Sequence, residues 1–292
     1  MPDRIHAPVI KNPKEFLIKL PSCEHLKLKN GIPVYYVNGG SEEVVKIEWV
    51  FSSGSYYERK NGIASATCGL INSGTSKLSS FEISNRFEFY GAFISTACYN
   101  EYAVVTLETL SKYLMAVLPV VSEIFTDAQF PESEIAIYKQ NSIQRLKVNL
   151  KKCDFVANRE INAMLYGTAH PYGKKITIED IHSITRDDLV SFYKDYFLNA
   201  ECKIFAAGKL PLDFEGLLDK YFGSLNHQNK RKVELIERTP SLQRINRVEN
   251  DPVGVQAAIR IARDFPNRKH PDFKGAMVLN ALLGGYFGSR LM

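Results

Sequence analysis

The chain has 292 residues, enough to bury a sizeable core as one large domain or two of ordinary size. Hydrophobic residues make up 45% and charged residues 24%, globular proportions that exclude wholesale disorder. The 37 basic and 32 acidic residues are well mixed, so the net charge of +5 does not form the basic stripe of a nucleic-acid binder, and the one dense cluster, Lys230-Arg231-Lys232, reads as part of a solvated linker.

In chain order, two β-rich runs over 25–29 and 32–37 flank Asn30-Gly31, whose tolerance of positive φ predicts a hairpin. Residues 44–52 alternate as a further strand. Residues 62–71 are small and apolar without a β-branched block, which predicts a buried helix ending near Asn72-Ser73-Gly74. A second amphipathic helix over 81–90 closes at Gly91 as a C-cap. Residues 92–109 read as two strands joined at Tyr99-Asn100-Glu101. Ser111 opens a helix with Leu114, Leu118, Val121 and Ile124 at helical spacing, up to a break at Phe130-Pro131. Helices follow over 132–152 and 155–165. Thr185, followed by Arg186-Asp187-Asp188, is the N-cap of a helix to Phe197, and 201–207 form a strand.

Residues 226–238 are dominated by polar and charged side chains, which marks a linker; beyond them 256–261 read as a strand and 272–283 as an apolar-faced helix. The order of strands, helices, hairpin, helices and strand predicts an α+β fold with a mixed or antiparallel sheet packed against helices, rather than a parallel βα repeat. The expected division is an N-terminal extension (1–24), a first α+β domain (25–225), a linker (226–245) and the beginning of a second, similar domain (246–292). Ser289-Arg290-Leu291-Met292 then interrupts what should be a continuing helix.

Cys23, Cys68, Cys98, Cys153 and Cys202 are odd in number and contain no C-x-x-C pair, which argues against a disulfide framework and a zinc ribbon. The N-terminus lacks the apolar core of a signal peptide, and no run of apolar residues is long enough to span a membrane. The expectation is a soluble, cytoplasmic protein.

Several separated segments, in order, resemble the pitrilysin/insulinase family of inverted-motif zinc peptidases. They are the Leu28-Lys29-Asn30-Gly31 hairpin, Gly54-Ser55-Tyr56-Tyr57-Glu58 with Asn61-Gly62-Ile63-Ala64, Gly74-Thr75, and His170-Pro171-Tyr172-Gly173. The series continues with Thr185 to Leu189, Ala207-Gly208, His270-Pro271-Asp272 and Leu282-Leu283-Gly284-Gly285 with Ser289-Arg290-Leu291. The resemblance implies a metallopeptidase-homologue fold. In active members a helix carries H-x-x-E-H: two imidazoles bind zinc, the motif's Glu takes a proton from zinc-bound water, and a Glu on a later helix completes the ligands.

Laid on that pattern, Ser65 and Gly69 stand where the histidines belong, Cys68 stands where the catalytic Glu belongs, and Gln144 or Arg145 stands where the third ligand belongs. No realignment restores the site, because His6, His25, His170, His182, His227 and His270 include no pair within five positions. The zinc of the family is therefore expected to be absent, and with it the peptidase activity. Cys68 as a nucleophile competes with its reading as a small buried core residue, which the lack of any local catalytic feature favours. Glu101 and Glu108 read as solvent-facing residues of the strand pair. Ile94-Ser95-Thr96 lies where the family's edge strand binds extended peptide through backbone hydrogen bonds, which require no particular side chain.

The resemblance thus implies a zinc-less subunit that helps bind peptide beside a zinc-bearing homologue, or in a dimer with itself. The alternatives are an active zinc peptidase whose metal site the motif misses, and a scaffold subunit without peptide contact.

Overall fold

The computed structural model describes residues 21–225, 246–249, 254–263 and 265–291. The expected N-terminal extension lies almost wholly outside the described residues, as do the 226–245 linker and its basic cluster.

Asn30-Gly31 makes the expected turn between β1 (Glu24–Lys27) and β2 (Pro33–Asn38). Gly31 takes φ 88°, where a glycine carries no steric cost, and its N–H donates to Leu28 O at 2.8 Å. The remaining strands are β3 (Val44–Phe51), β4 (Phe93–Cys98), β5 (Ala103–Leu110) and β6 (Cys202–Gly208). They form one mixed sheet in the order β1-β2-β6-β3-β5-β4, with β2 and β6 parallel and every other pair antiparallel.

Alternation along the strands gives the sheet one apolar face. Val45, Ile47, Trp49 and Phe51 of β3, Val105 and Leu107 of β5, and Ile204 and Ala206 of β6 are buried on it. Lys46, Glu108 and Lys203 point the other way into solvent, where Lys46 pairs with Glu48 and Glu108. The helices are α1 (Ile63–Leu70), α2 (Ser80–Phe89), α3 (Leu114–Asp127), α4 (Glu132–Asn149), α5 (Cys153–Tyr166), α6 (Ile178–Ser183), α7 (Arg186–Tyr193), α8 (Phe214–Phe222) and α9 (Phe273–Gly284). Trp49 packs against Phe125 of α3 and Phe222 of α8, with ring centroids 5.4 and 5.0 Å away, and Phe51 sits 5.1 Å from Phe197 in the π-helical turn after α7.

Helix starts follow local chemistry. Ser79, Thr177 and Thr185 each form a capping box with Glu82, Asp180 and Asp188, respectively. Between α3 and α4 the chain turns sharply: Phe130 takes φ 51°, and Arg186 donates to the carbonyls of Gln129 and Phe130. That turn sets α4 alongside α1.

Two expectations for the C-terminal segment need correction. Residues 256–261 form no strand: Ile259 and Ile261 are exposed and no ladder partner for them exists among the described residues. Arg260 instead reaches α5, donating to Asp154 at 2.9 Å and Asn158 at 2.9 Å. The helix expected over 272–283 is present as α9, but it does not continue into residues 285–291. It stops at Gly284, before Gly285, and the chain folds back so that Leu291 N–H donates to Leu283 O at 2.8 Å. Among the described residues no helix is long and apolar enough to cross a membrane.

Candidate functional site

The helix α1 is built so that nearly every side chain is committed to the core. Gly62 enters it at φ 86°, and the Glu58 carboxylate accepts the Ala64 N–H at 3.1 Å in place of a conventional N-cap. Burial raises the Glu58 pKa, an effect opposed by the N–H groups of Ala64 and Gly62. Ile63, Ala64, Ala66, Thr67, Cys68 and Leu70 are buried, which leaves Ser65 and Gly69 as the exposed pair. At i and i+4 these two share one face of the helix, the arrangement two imidazoles would need to hold one ion.

Three elements meet at this face. β4 brings Thr96 near the Cys68 thiol and Cys98 near the Ser65 hydroxyl. α4 brings Tyr138, whose Cε2 lies 3.1 Å from the point a Cβ at Gly69 would occupy. Burial raises the Tyr138 pKa, with Ser142 and the Arg145 charge acting in the opposite direction. Gln144 is exposed and lies six residues beyond Tyr138, about 120° away around the helix at 100° per residue. Arg145, seven residues on, returns to the Tyr138 face.

These residues do not fit a zinc ion. Ser65 offers a hydroxyl, Gly69 offers nothing, and the Tyr138 ring crowds the position a Cβ at Gly69 would take. Desolvation pushes the Cys68 thiol up to about 12, so in the metal-free protein it is protonated at neutral pH and accepts no proton from water. The same protonation removes it as a nucleophile. Among the described residues no group of three His, Cys, Asp or Glu side chains is placed to hold a metal ion. Glu108 is exposed and paired with Lys46, whereas Glu101 lies in the turn between β4 and β5 rather than on a strand.

Ile94, Ser95 and Thr96 lie on β4, which pairs with β5 alone and is an edge of the sheet. Ser95 is exposed, while Ile94 and Thr96 are half-buried toward the helices. An edge strand of this kind leaves a row of backbone donors and acceptors for an added strand. Reading the sequence alone missed Tyr138 and Cys98 as neighbours of α1; the small residue at Gly69 hinted that something large packs there but not what.

Two family patterns match the chain: Insulinase (Peptidase family M16) over residues 34–174 and Peptidase M16 inactive domain over residues 183–292. The protein named cytochrome b-c1 complex subunit 1, mitochondrial, of Caenorhabditis elegans is 24% identical over 274 residues, covering 93% of this chain and 58% of that protein. Probable mitochondrial-processing peptidase subunit beta of Schizosaccharomyces pombe is 26% identical over 274 residues, covering 91% of this chain and 60% of that protein. The chain therefore spans 58% and 60% of the length of these two relatives. A crystal structure of a peptidase M16 inactive domain from Pseudomonas fluorescens has the same fold, with a TM-score of 0.72 at 23% identity, covering 93% of this chain and 66% of that one. The chain belongs to the insulinase (peptidase M16) family.

Proposed function

We propose that this protein is a non-catalytic member of the family that presents β4 to extended peptides and works beside a zinc-bearing homologue. The observation that carries the reading is the face of α1 where metal ligands would stand: it offers Ser65 and Gly69 in place of two imidazoles, with the Tyr138 ring crowding Gly69. Binding through β4 needs only the backbone, so the loss of zinc chemistry leaves it intact. Such a subunit contributes by holding substrate while its partner hydrolyses it, across an interface expected to bury more than about 1,000 Å².

The test is to co-express the protein with a zinc-bearing homologue from the same genome and to measure peptide cleavage with and without it. Co-purification and altered kinetics support the reading. A homologue that neither co-purifies nor changes its kinetics contradicts it. A scaffold role without peptide contact is the second reading, favoured by the similarity to a protein named as a cytochrome b-c1 subunit. Anisotropy of labelled extended peptides separates the two, since a scaffold would not bind them.

A further inference from the structure

Three Asn-Gly steps occur in the chain: Asn30-Gly31, Asn38-Gly39 and Asn61-Gly62. A glycine after asparagine leaves the carboxamide carbon open to attack by the next backbone nitrogen, the step that starts deamidation. The fold treats these steps differently. The Asn30 side chain crosses to α8, where its amide donates to Phe222 O at 2.8 Å and to Leu225 O at 2.7 Å, while its oxygen accepts the Ile32 N–H at 3.3 Å. Phe222 is the last residue of α8 and Leu225 follows it, so Asn30 supplies donors to the helix C-terminus from a distant part of the chain. Lys29 adds to the docking: its N–H donates to Asp219 Oδ1 at 2.9 Å, and its ammonium lies 3.6 Å from Asp219 Oδ2. The attacking nitrogen is held too, since the Gly31 N–H donates to Leu28 O at 2.8 Å. At Asn38 the Gly39 N–H is similarly tied, to Gly208 O at 2.9 Å, but the side chain is exposed. Among the described residues only its oxygen is engaged, accepting the Leu210 N–H at 3.0 Å.

We propose that Asn30 is a deamidation site guarded by the docking of the β1–β2 turn on α8, and that the carboxylate formed there keeps the helix end from docking again. The reaction needs α8 to move away, which frees the carboxamide and the turn together. The Gly31 nitrogen then gives its proton to solvent base and attacks Asn30 Cγ. A C–N bond forms within a five-membered succinimide, and the carboxamide nitrogen leaves with a proton as ammonia. Water opens the ring at either carbonyl, leaving aspartate or isoaspartate; one water is consumed, one ammonia is released and nothing is oxidised. The product reverses the contact. Two donors become an acceptor carboxylate facing the Phe222 and Leu225 carbonyls, at the negative end of the helix dipole. An isoaspartate also lengthens the backbone within the turn that Gly31 closes at φ 88°. The site thus records each lasting departure of α8 from the sheet as a permanent change.

The experiment incubates the full chain at mildly alkaline pH, in native buffer and in guanidinium chloride, and follows all three Asn-Gly steps by peptide mass spectrometry. In denaturant the three are expected to react at similar rates. In native buffer Asn30 is expected to react at least about tenfold more slowly than in denaturant, and more slowly than Asn38. Asp219→Ala, which removes the acceptor of the Lys29 N–H, is expected to speed Asn30 about threefold or more in native buffer and to change nothing in denaturant. Asn30→Asp, the direct product, is expected to lower the folded-to-unfolded ratio about 5–30-fold in urea titrations. An Asn30 rate that is the same in both solvents, faster than Asn38 in native buffer or unmoved by Asp219→Ala overturns the guarding by α8. An Asn30→Asp chain as stable as wild type overturns the permanent release of the helix end.

Discussion

The ring of Tyr138 on α4 lies over Gly69 on α1, 3.1 Å from where a Cβ would stand, so the two helices meet through an aromatic side chain and a missing one. A side chain at Gly69 requires that ring to shift by a few tenths of an ångström. Gly69→His is therefore expected to destabilise the fold by about 1–3 kcal/mol through overpacking, more than the few tenths to about 1 kcal/mol gained over glycine in helix propensity. Tyr138→Ala in the same protein should recover part of the loss. Urea denaturation of both single variants and the double variant measures the coupling; additive effects would show that the two residues do not exclude each other.

The thiols beside this contact predict a pH dependence. Burial pushes Cys68 up to about 12 and Cys98 up to about 11, from an ordinary value near 9. Above pH 9 the unfolded thiols lose protons that the folded ones keep, so the unfolded state binds fewer protons and stability falls as pH rises. The contribution is fully present below about pH 9 and is lost progressively toward pH 12. Chemical denaturation across that range should show a shallower decline for Cys68→Ala than for wild type. At neutral pH, iodoacetamide should modify exposed Cys23 and spare buried Cys68 and Cys202 until the chain unfolds.

Gly54 tests how the β4–β5 turn is held. A Cβ there would lie 2.3 Å from Asn100 O and 2.5 Å from Tyr102 N, both backbone atoms that cannot rotate away. Gly54→Ala is expected to cost about 1–3 kcal/mol or more and to loosen the turn, whereas Gly39→Ala, with nothing within 4 Å, should be close to neutral. Equal thermal shifts for the two variants would mean that the turn is not pinned at Gly54.

Local signals in the sequence were read correctly where they act locally. Asn30-Gly31 makes its hairpin, Thr185 caps α7, and the alternation over 44–52 places Trp49 and Phe51 in the core. Two helices were overlooked although their signals are present. Thr177 and Asp180 cap α6, and Phe214, Leu217, Leu218, Tyr221 and Phe222 recur at helical spacing along α8. The insertion of β6 between β2 and β3 was not legible, because periodicity shows that a strand exists but not which strand it pairs with. The same limit explains residues 256–261, whose strand-like pattern finds no partner among the described residues. At the site, the absence of imidazoles at Ser65 and Gly69 was plain in the sequence; the ring that fills the space was not, since it comes from a helix whose approach is set by the turn at Phe130.

The polar composition of residues 226–238 carries the proposed boundary between the two units. Limited trypsin digestion is expected to cut first within 226–245, where Lys230, Arg231 and Lys232 offer sites. A first cut within α4 would contradict that boundary.

The central claim is that α1 has lost its zinc chemistry, and metal content tests it most directly. Purified protein dialysed against trace zinc is expected to hold well below one zinc per chain by elemental analysis, because Ser65, Gly69 and Cys68 supply no ligand set of three. A content of about one zinc per chain that falls when Cys68 is replaced by alanine would contradict it.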